Sequence, residues 1–462
     1  MKTPVKAPVN QAKRPDEPLF KRLTRQQLFI PIAALILLVL FNLIADPSFF
    51  AVSLKENSLG NPVLSGNIIS VLDNASELVI LAIGMTLVTA SSGGQDISVG
   101  AAMAIAGSVI LRLVCGGQVS ADTMYVPLAL LILFNLIADP SFFAVTIKEN
   151  SLGNPVLSGN IISVLDNASE LVILAIGMTL VTASSGGQDI SVGAAMAIAG
   201  SVILRLVCGG QVTADTMYMP LILAVLISIG VSMLFGAFNG ALVAYFKIQP
   251  MVATLILYTA GRSIAAWINN NQLPIMNDIT FKYAGTFLPG IPVPTPIFIT
   301  LIVVFLFWLT LKFTNLGLYT QSVGINAESS RLNGLDPKMI KLLTYVILGV
   351  CVAIAGFVRV SRSGSINYSR IAENIEMDAI LAVALGGNAL SGGKFNIYGS
   401  ILGAYVIQFL TTTLYKYEVP STALPAYKAV VVILLVVLSA PVVREKLAKL
   451  KKAPAKAAKE VS

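Results

Sequence analysis

Apolar residues run almost unbroken through 28–44, 343–357 and 429–440, with no alternation of apolar and polar positions. Runs of this length suit helices that cross a hydrocarbon core ~30 Å thick. The strands of a membrane barrel would instead alternate over about 10 residues each. The pattern predicts spans near 28–45, 76–92, 98–114, 221–245, 251–268, 296–313, 342–359, 378–392, 397–414 and 426–440. The fold class read from it is all-α, a polytopic transmembrane helical bundle of about ten spans.

That count sets aside one copy of a repeat. Residues 35–127 recur at 128–220 with an offset of 93, and six pairs differ: Ile36/Ala129, Val39/Ile132, Ser53/Thr146, Leu54/Ile147, Ser120/Thr213 and Val126/Met219. Such closeness is foreign to the diverged units of a solenoid and reads as a tandem duplication. In the second copy the opening apolar run begins near Val126, after polar Asp122 and Thr123, and reaches Asp139. At about 13 residues it is too short to cross and suits an interfacial or re-entrant segment. The extra unit is therefore predicted to add about two full crossings and one partial one, which keeps the number of crossings even.

Composition agrees with this class, since 56% of the residues are hydrophobic and 12% charged. The net charge of +8 is concentrated in tails at 1–27 and 441–462, which flank the membrane domain at 28–440 and argue against nucleic acid as the partner. The first tail does not read as a cleavable signal, because the apolar run after it is long and lacks a small-residue cleavage site. By the positive-inside rule both tails are cytoplasmic. Six crossings then bring 314–341 to the cytoplasm, where Arg331, Lys338 and Lys341 agree with it, and leave 269–294 outside with Lys282 as its one basic residue. Arg359, Arg362 and Arg370 dissent, because the same count places them on an external loop.

The chain has three cysteines and no histidine. Histidine-dependent nucleophilic catalysis and histidine-ligated metals are excluded. Cys115 and Cys208 are copies of one position and Cys351 lies in an apolar run, so all three read as small core residues, and no metal site is expected.

The segment Ala183-Ser-Ser-Gly-Gly-Gln-Asp-Ile-Ser-Val-Gly193, with its first copy at 90–100, interrupts two apolar runs with small and polar residues. Irregular backbone at membrane depth is tolerated only against protein or a water-filled cavity. An acid such as Asp189 there is a functional-site candidate, and it can also cap the helix expected to begin at Ile190. Gln188 and Asp189, with their duplicates Gln95 and Asp96, head the candidate substrate path, joined by Asn239, Gln249, Thr254, Arg262 and Asn388 from other apolar stretches. Neutral hydrogen-bonding groups suit an uncharged polyhydroxy solute. Helix-to-helix hydrogen bonding explains them equally well, as close helix contact explains Gly236-x-x-x-Gly240 and Gly386-Gly387. Glu376 and Asp378 read as caps at the mouth of a span.

The 183–193 segment resembles the Gly-Gly-Ile-Asp-Leu-Ser-Val-Gly motif of the permease subunits of bacterial ABC importers for simple sugars, of the ribose, galactose, xylose and galactofuranose type. Gln188 stands where that motif has Ile. Phe238-Asn-Gly-Ala-Leu-Val-Ala-Tyr-Phe-Lys-Ile-Gln-Pro-Met-Val-Ala-Thr-Leu255 resembles the family's span and following turn. Val323-Gly-Ile-Asn-Ala-Glu-Ser-Ser-Arg-Leu-Asn-Gly334 resembles its cytoplasmic coupling loop, and Met377-Asp-Ala-Ile-Leu-Ala-Val-Ala-Leu-Gly-Gly-Asn-Ala-Leu-Ser-Gly-Gly-Lys394 its late signature. The resemblance implies a permease in the bacterial inner membrane, paired with itself or a sister permease. It would be served by an ATP-binding subunit and by an extracytoplasmic sugar-binding protein, with Gly324, Asn326, Glu328, Arg331 and Gly334 on the coupling loop.

The chain itself is expected to be no enzyme and to bind no cofactor. Its nearest approach to a phosphate-binding loop, at 387–395, has Asn388 where the first glycine is needed and Phe395 where Ser or Thr would hold Mg²⁺. ATP and Mg²⁺ would therefore sit on the partner. The alternatives are a branched-chain amino acid permease, which would need groups for a zwitterion, and a stand-alone secondary transporter, which would show inverted repeats rather than direct ones.

Overall fold

The computed structural model describes residues 125–149, 154–420 and 423–439, together with 47–56, 62–65 and residues 40, 43, 44, 67–69 and 71. Outside the described residues lie both basic tails, nearly all of the span expected near 28–45, the spans near 76–92 and 98–114, Cys115, and Gln95 with Asp96.

Residues 1–101 and 102–462 form separate compact units. The first holds an antiparallel hairpin of β1 (Ser53–Glu56) and β2 (Pro62–Ser65), with Ser53 opposite Ser65. The repeated sequence repeats it in the second unit, where β3 (Thr146–Glu149) pairs with β4 (Pro155–Ser158) in the same register, Thr146 opposite Ser158. The two first strands differ at Ser53/Thr146 and Leu54/Ile147, but both changes are conservative and keep the same alternation, which yields the same pairing.

The second unit is helical. It comprises α1 (Tyr125–Ala138), α2 (Asn160–Ser185), α3 (Val192–Val207), α4 (Leu221–Ala244), α5 (Pro250–Ile268), α6 (Thr295–Phe313), α7 (Leu316–Ile325), α8 (Ala327–Leu332), α9 (Pro337–Ser363), α10 (Ile375–Leu385), α11 (Ile397–Lys416) and α12 (Leu424–Ser439). Among the described residues six helices are long and apolar enough to cross a membrane: α2, α4, α5, α6, α9 and α11. Starts are marked as physics requires. Proline opens α5 and α9, where its missing N–H leaves no intrahelical bond unmade. Asp336 caps α9 by accepting from the Lys338 N–H at 2.9 Å. The opening run of the second copy forms α1 of 14 residues, which at 1.5 Å per residue reaches ~21 Å, short of the hydrocarbon thickness.

Helix α9 organises the unit, with α2, α3 and α4 packed around it. Matched contacts fix the directions. Ser184 meets Thr344 and Glu170 meets Arg359, so α2 runs antiparallel to α9. Gly236 and Gly240 of α4 lie against Tyr345 and Leu342, so α4 is antiparallel too. A Cβ on Gly236 would stand 2.4 Å from the Tyr345 carbonyl oxygen, which bears out the close-contact reading of the Gly-x-x-x-Gly pair. Helix α2 is the innermost, buried continuously from Ala168 to Ser184. Cys208 and Cys351 are buried and unpaired.

Four expectations are corrected. The span expected at 378–392 is an 11-residue helix, α10, that stops at Leu385. Gly386-Gly387 and Gly392-Gly393 give the following segment little helical propensity, and α11 resumes only at Ile397. Helix α3 begins at Val192 rather than Ile190, with Ser191 in the N-cap position. Asp378 does not cap α10, because it pairs with Lys428 of α12 at 2.8 Å, and the N-cap position of α10 is held by Asn374. Finally, Arg359 and Arg362 are not loop residues. They occupy the last turns of α9 and face carboxylates of α2: Arg359 lies 3.3 Å from Glu170, and Arg362 3.2 Å from Asp166 and 3.8 Å from Glu170. Of the three dissenting arginines only Arg370 lies in the loop that follows. Near the same end of the bundle Asp139, just beyond α1, pairs with Lys416 at the end of α11, and that ammonium holds its carboxyl down at about 2.

Candidate functional site

Helix α2 ends on Gly186, which takes the left-handed conformation at φ 67°. Between it and Val192 the chain is irregular, and its free groups are taken up by side chains drawn from three helices. The Asp189 Oδ1 accepts from the Ser191 N–H at 2.7 Å and from the Ser191 hydroxyl at 2.6 Å, closing a turn. Asn239 of α4 donates to Ser191 Oγ at 3.0 Å and to Asp189 Oδ2 at 3.4 Å. Thr254 of α5 accepts from the Ile190 N–H at 3.2 Å. Asp189 keeps only 4% of its surface exposed, and Asn239 and Thr254 still less. Four of the sequence candidates thus gather at one break, because Gln188 lies there as well.

A second break faces the first. Between α10 and α11 the chain is stapled by Asn388, whose amide donates to the Val383 and Asn396 carbonyls and to Ser400 Oγ, and whose oxygen accepts from the Asn396 N–H at 2.7 Å. That amide is committed to backbone, so Asn388 shapes the loop. Gln188 joins the two breaks by donating from Nε2 to the Leu390 carbonyl at 3.0 Å. Gln249 is the exposed residue preceding α5. Arg262 is a staple as well, its Nη1 donating to the Tyr368, Ser369 and Ile371 carbonyls ahead of α10.

Three participants escaped sequence reasoning. Ser191 was visible as a hydroxyl two residues beyond Asp189, the spacing of an Asx turn. Ser400 bridges Asn388 to Thr179 of α2, where its hydroxyl lies 2.6 Å from the threonine's, and nothing in its apolar surroundings marked it. Tyr345 sits inside an apolar run of α9 and is fully buried beside α4. Its hydroxyl and the Asn239 Oδ1 are buried side-chain atoms with no hydrogen-bond partner, as is the Glu376 Oε2 beneath Gly193 at the start of α3. Unsatisfied buried groups are uncommon and call for a partner in some state of the molecule. Among the described residues no group of three His, Cys, Asp or Glu side chains is placed to hold a metal ion.

The segment 314–341 holds α7, α8 and the first turn of α9. Helix α7 carries Gly324, and α8 follows a sharp elbow at Asn326, whose Oδ1 accepts from the Glu328 and Ser329 N–H groups at 3.0 Å each. Glu328 and Arg331 pair across one turn of α8 in full solvent, and the guanidinium lowers the carboxyl's pKa. Gly334 follows α8 at φ 84°. Ile325 and Leu332 are 68% and 79% exposed on this elbow.

Comparison with known proteins gives the arrangement its context. The chain is 38% identical over 311 residues to the galactofuranose transporter permease protein YtfT of Escherichia coli (strain K12), covering 67% of this chain and 86% of that protein. It is 35% identical over 328 residues to the fructose import permease protein FruF of Bifidobacterium longum (strain NCC 2705), covering 70% and 88%. It is 33% identical over 316 residues to the ribose import permease protein RbsC of Escherichia coli (strain K12), covering 67% and 91%. No solved structure matches the chain. Residues 160–440 match the family model described as "Branched-chain amino acid transport system / permease component", a stretch that includes Gln188 and Asp189 but neither Gln95 nor Asp96, and the chain belongs to that permease family.

Proposed function

We propose that this multi-pass membrane protein is the permease subunit of an ATP-driven importer, carrying a monosaccharide across the bacterial cytoplasmic membrane. The observation that supports this best is the pair of facing helix breaks joined by Gln188 and Leu390, where irregular backbone and buried hydrogen-bonding groups, all neutral but Asp189, whose carboxylate is taken up by Ser191 and Asn239, meet between long apolar helices. Such groups match hydroxyls and offer little to a zwitterion, and the similar proteins named above for a cargo are sugar permeases, which favours a sugar over a branched-chain amino acid. Gln188, Asp189, Asn239 and Thr254 line the path, while Asn388 and Gln249 shape the backbone at its edge. ATP and Mg²⁺ are held by a separate subunit that docks on the elbow between α7 and α8, where Ile325 and Leu332 present apolar surface beside the Glu328–Arg331 pair. A second permease copy or a sister permease completes the pore, and an extracytoplasmic binding protein delivers the sugar.

Reconstitution in liposomes tests the reading. Uptake of radiolabelled galactofuranose, fructose or ribose is expected only with the ATP-binding subunit and ATP present. Uptake that persists without that subunit would overturn the proposal. The orientation is tested separately, on a chain whose own cysteines are replaced: Ser329→Cys in exposed α8 is expected to react with an impermeant maleimide only after cells are opened. Labelling of intact cells would invert the topology.

A further inference from the structure

Three chain segments meet backbone to backbone where α7 reaches the two helix breaks. The Ala183 carbonyl, in the last turn of α2, has no intrahelical partner because the helix stops before residue 187. The N–H of Gly393, from the other break, donates to it at 3.0 Å. Gly324 of α7 lies directly on this bond: a Cβ there would fall 1.8 Å from the Ala183 oxygen and 2.6 Å from the Gly393 nitrogen. Gly393 in turn, at φ 78°, has Ile325 against it, and a Cβ would stand 2.9 Å from Ile325 Cγ1. No side chain separates the three strands of backbone.

From this junction we infer that Gly324 and Gly393 form the mechanical link through which motion of the partner-docking elbow reaches the sugar path. The inference rests on the proposed docking of an ATP-binding subunit at α8. The elbow carries its exposed surface on Ile325 and Leu332 and makes its close backbone contact through half-buried Gly324, one residue from Ile325. Gly324 bears on Ala183, and five residues beyond Ala183 the chain reaches Gln188, which holds the second break through Leu390. Close-packed backbone transmits a displacement, whereas a layer of flexible side chains would absorb it by changing rotamers. Two hydrogen bonds, Gly393 N–H to Ala183 and Gln188 to Leu390, then oblige both breaks to move together. Gly324 and Gly393 are positioning residues on this account, since neither touches the solute.

The experiment measures sugar transported per ATP hydrolysed in the assembled transporter, with its ATP-binding subunit and binding protein. Gly324→Ala is expected to lower that ratio about tenfold, while the ATP-binding subunit still co-purifies and still hydrolyses ATP. Ile325→Ala loosens the contact instead of forcing it apart, and as a change at an exposed side chain it leaves the fold intact; the ratio is expected to fall about threefold. A ratio equal to that of the unaltered protein in both variants overturns the inference. Leu332→Asp serves as the control for docking itself and is expected to abolish co-purification. If it does not, the docking site fails whatever Gly324 does; if it does while Gly324→Ala and Ile325→Ala stay fully coupled, only the link fails.

Discussion

Asp189→Ala is expected to lower sugar uptake at least tenfold, while Asp96→Ala leaves it unchanged. The Asp189 carboxylate satisfies the Ser191 N–H, the Ser191 hydroxyl and one Asn239 N–H inside a site closed to bulk water. Its loss strands these donors at about 1–3 kcal/mol each, and the irregular backbone they support moves with them. Asp189→Asn keeps the shape and one acceptor oxygen but turns an amide toward Asn239, so its effect should be intermediate. The two aspartates occupy identical local sequence in the two copies. Only Asp189 is continuous in sequence with α4, α5 and the remaining helices that complete its network, and only it lies within the residues matched by the permease family. Uptake in cells, normalised to the amount of chain in the membrane, is the measurement. Equal loss from both substitutions would contradict the assignment of the working copy.

The largest effect on stability is expected from Arg362→Met. Arg362 donates to the Asp166 side chain and carbonyl and to Asn167, and it stands 3.8 Å from Glu170, whose side chain is only 3% exposed. Removing it leaves two carboxylates one helical turn apart with Arg359 as their remaining cation. Arg362 and Asp166 are 22% and 23% exposed and Glu170 is buried, so the loss is expected to cost less than the roughly 3–5 kcal/mol of a fully buried pair. The melting temperature of the detergent-solubilised protein should therefore drop clearly. Adding Asp166→Asn should recover part of it, since the second substitution removes one of the unpaired charges. An unchanged melting temperature in the single variant would show that the cluster contributes nothing.

That cluster also explains why charge counting along the chain gave a mixed signal. Arg359 and Arg362 looked like free positive charges on an external loop, against the positive-inside rule. Folded, they are the cationic half of a neutral network with Asp166 and Glu170 of α2, almost two hundred residues away. The rule counts basic residues on short loops near the span ends, whereas these two lie within a helix, and pairing partners at that separation cannot be read from spacing.

Within the described residues, what the chain alone determined was its membrane class and the position of most long helices, because length and unbroken apolarity are local properties set by the thickness of a bilayer. Helix ends were legible only to within several residues, since α9 runs Pro337–Ser363 where 342–359 was expected. Spans with internal breaks were less so: apolar residues on both sides of Gly386-Gly387 disguised an 11-residue helix as a crossing. The polar positions inside apolar runs were found, yet their roles were not. Asn388 and Arg262 turned out to hold backbone, Ser400, which carried no signal of its own, proved to be part of the network, and Tyr345 proved to be buried beside it. Only the tertiary structure brought Ala183, Gly324 and Gly393 to one point and set the break at 186–191 against the break at 386–396. A glycine's neighbours and a hydrogen bond's far partner depend on how helices cross, and crossing is decided by the packing of the whole bundle rather than by any single segment.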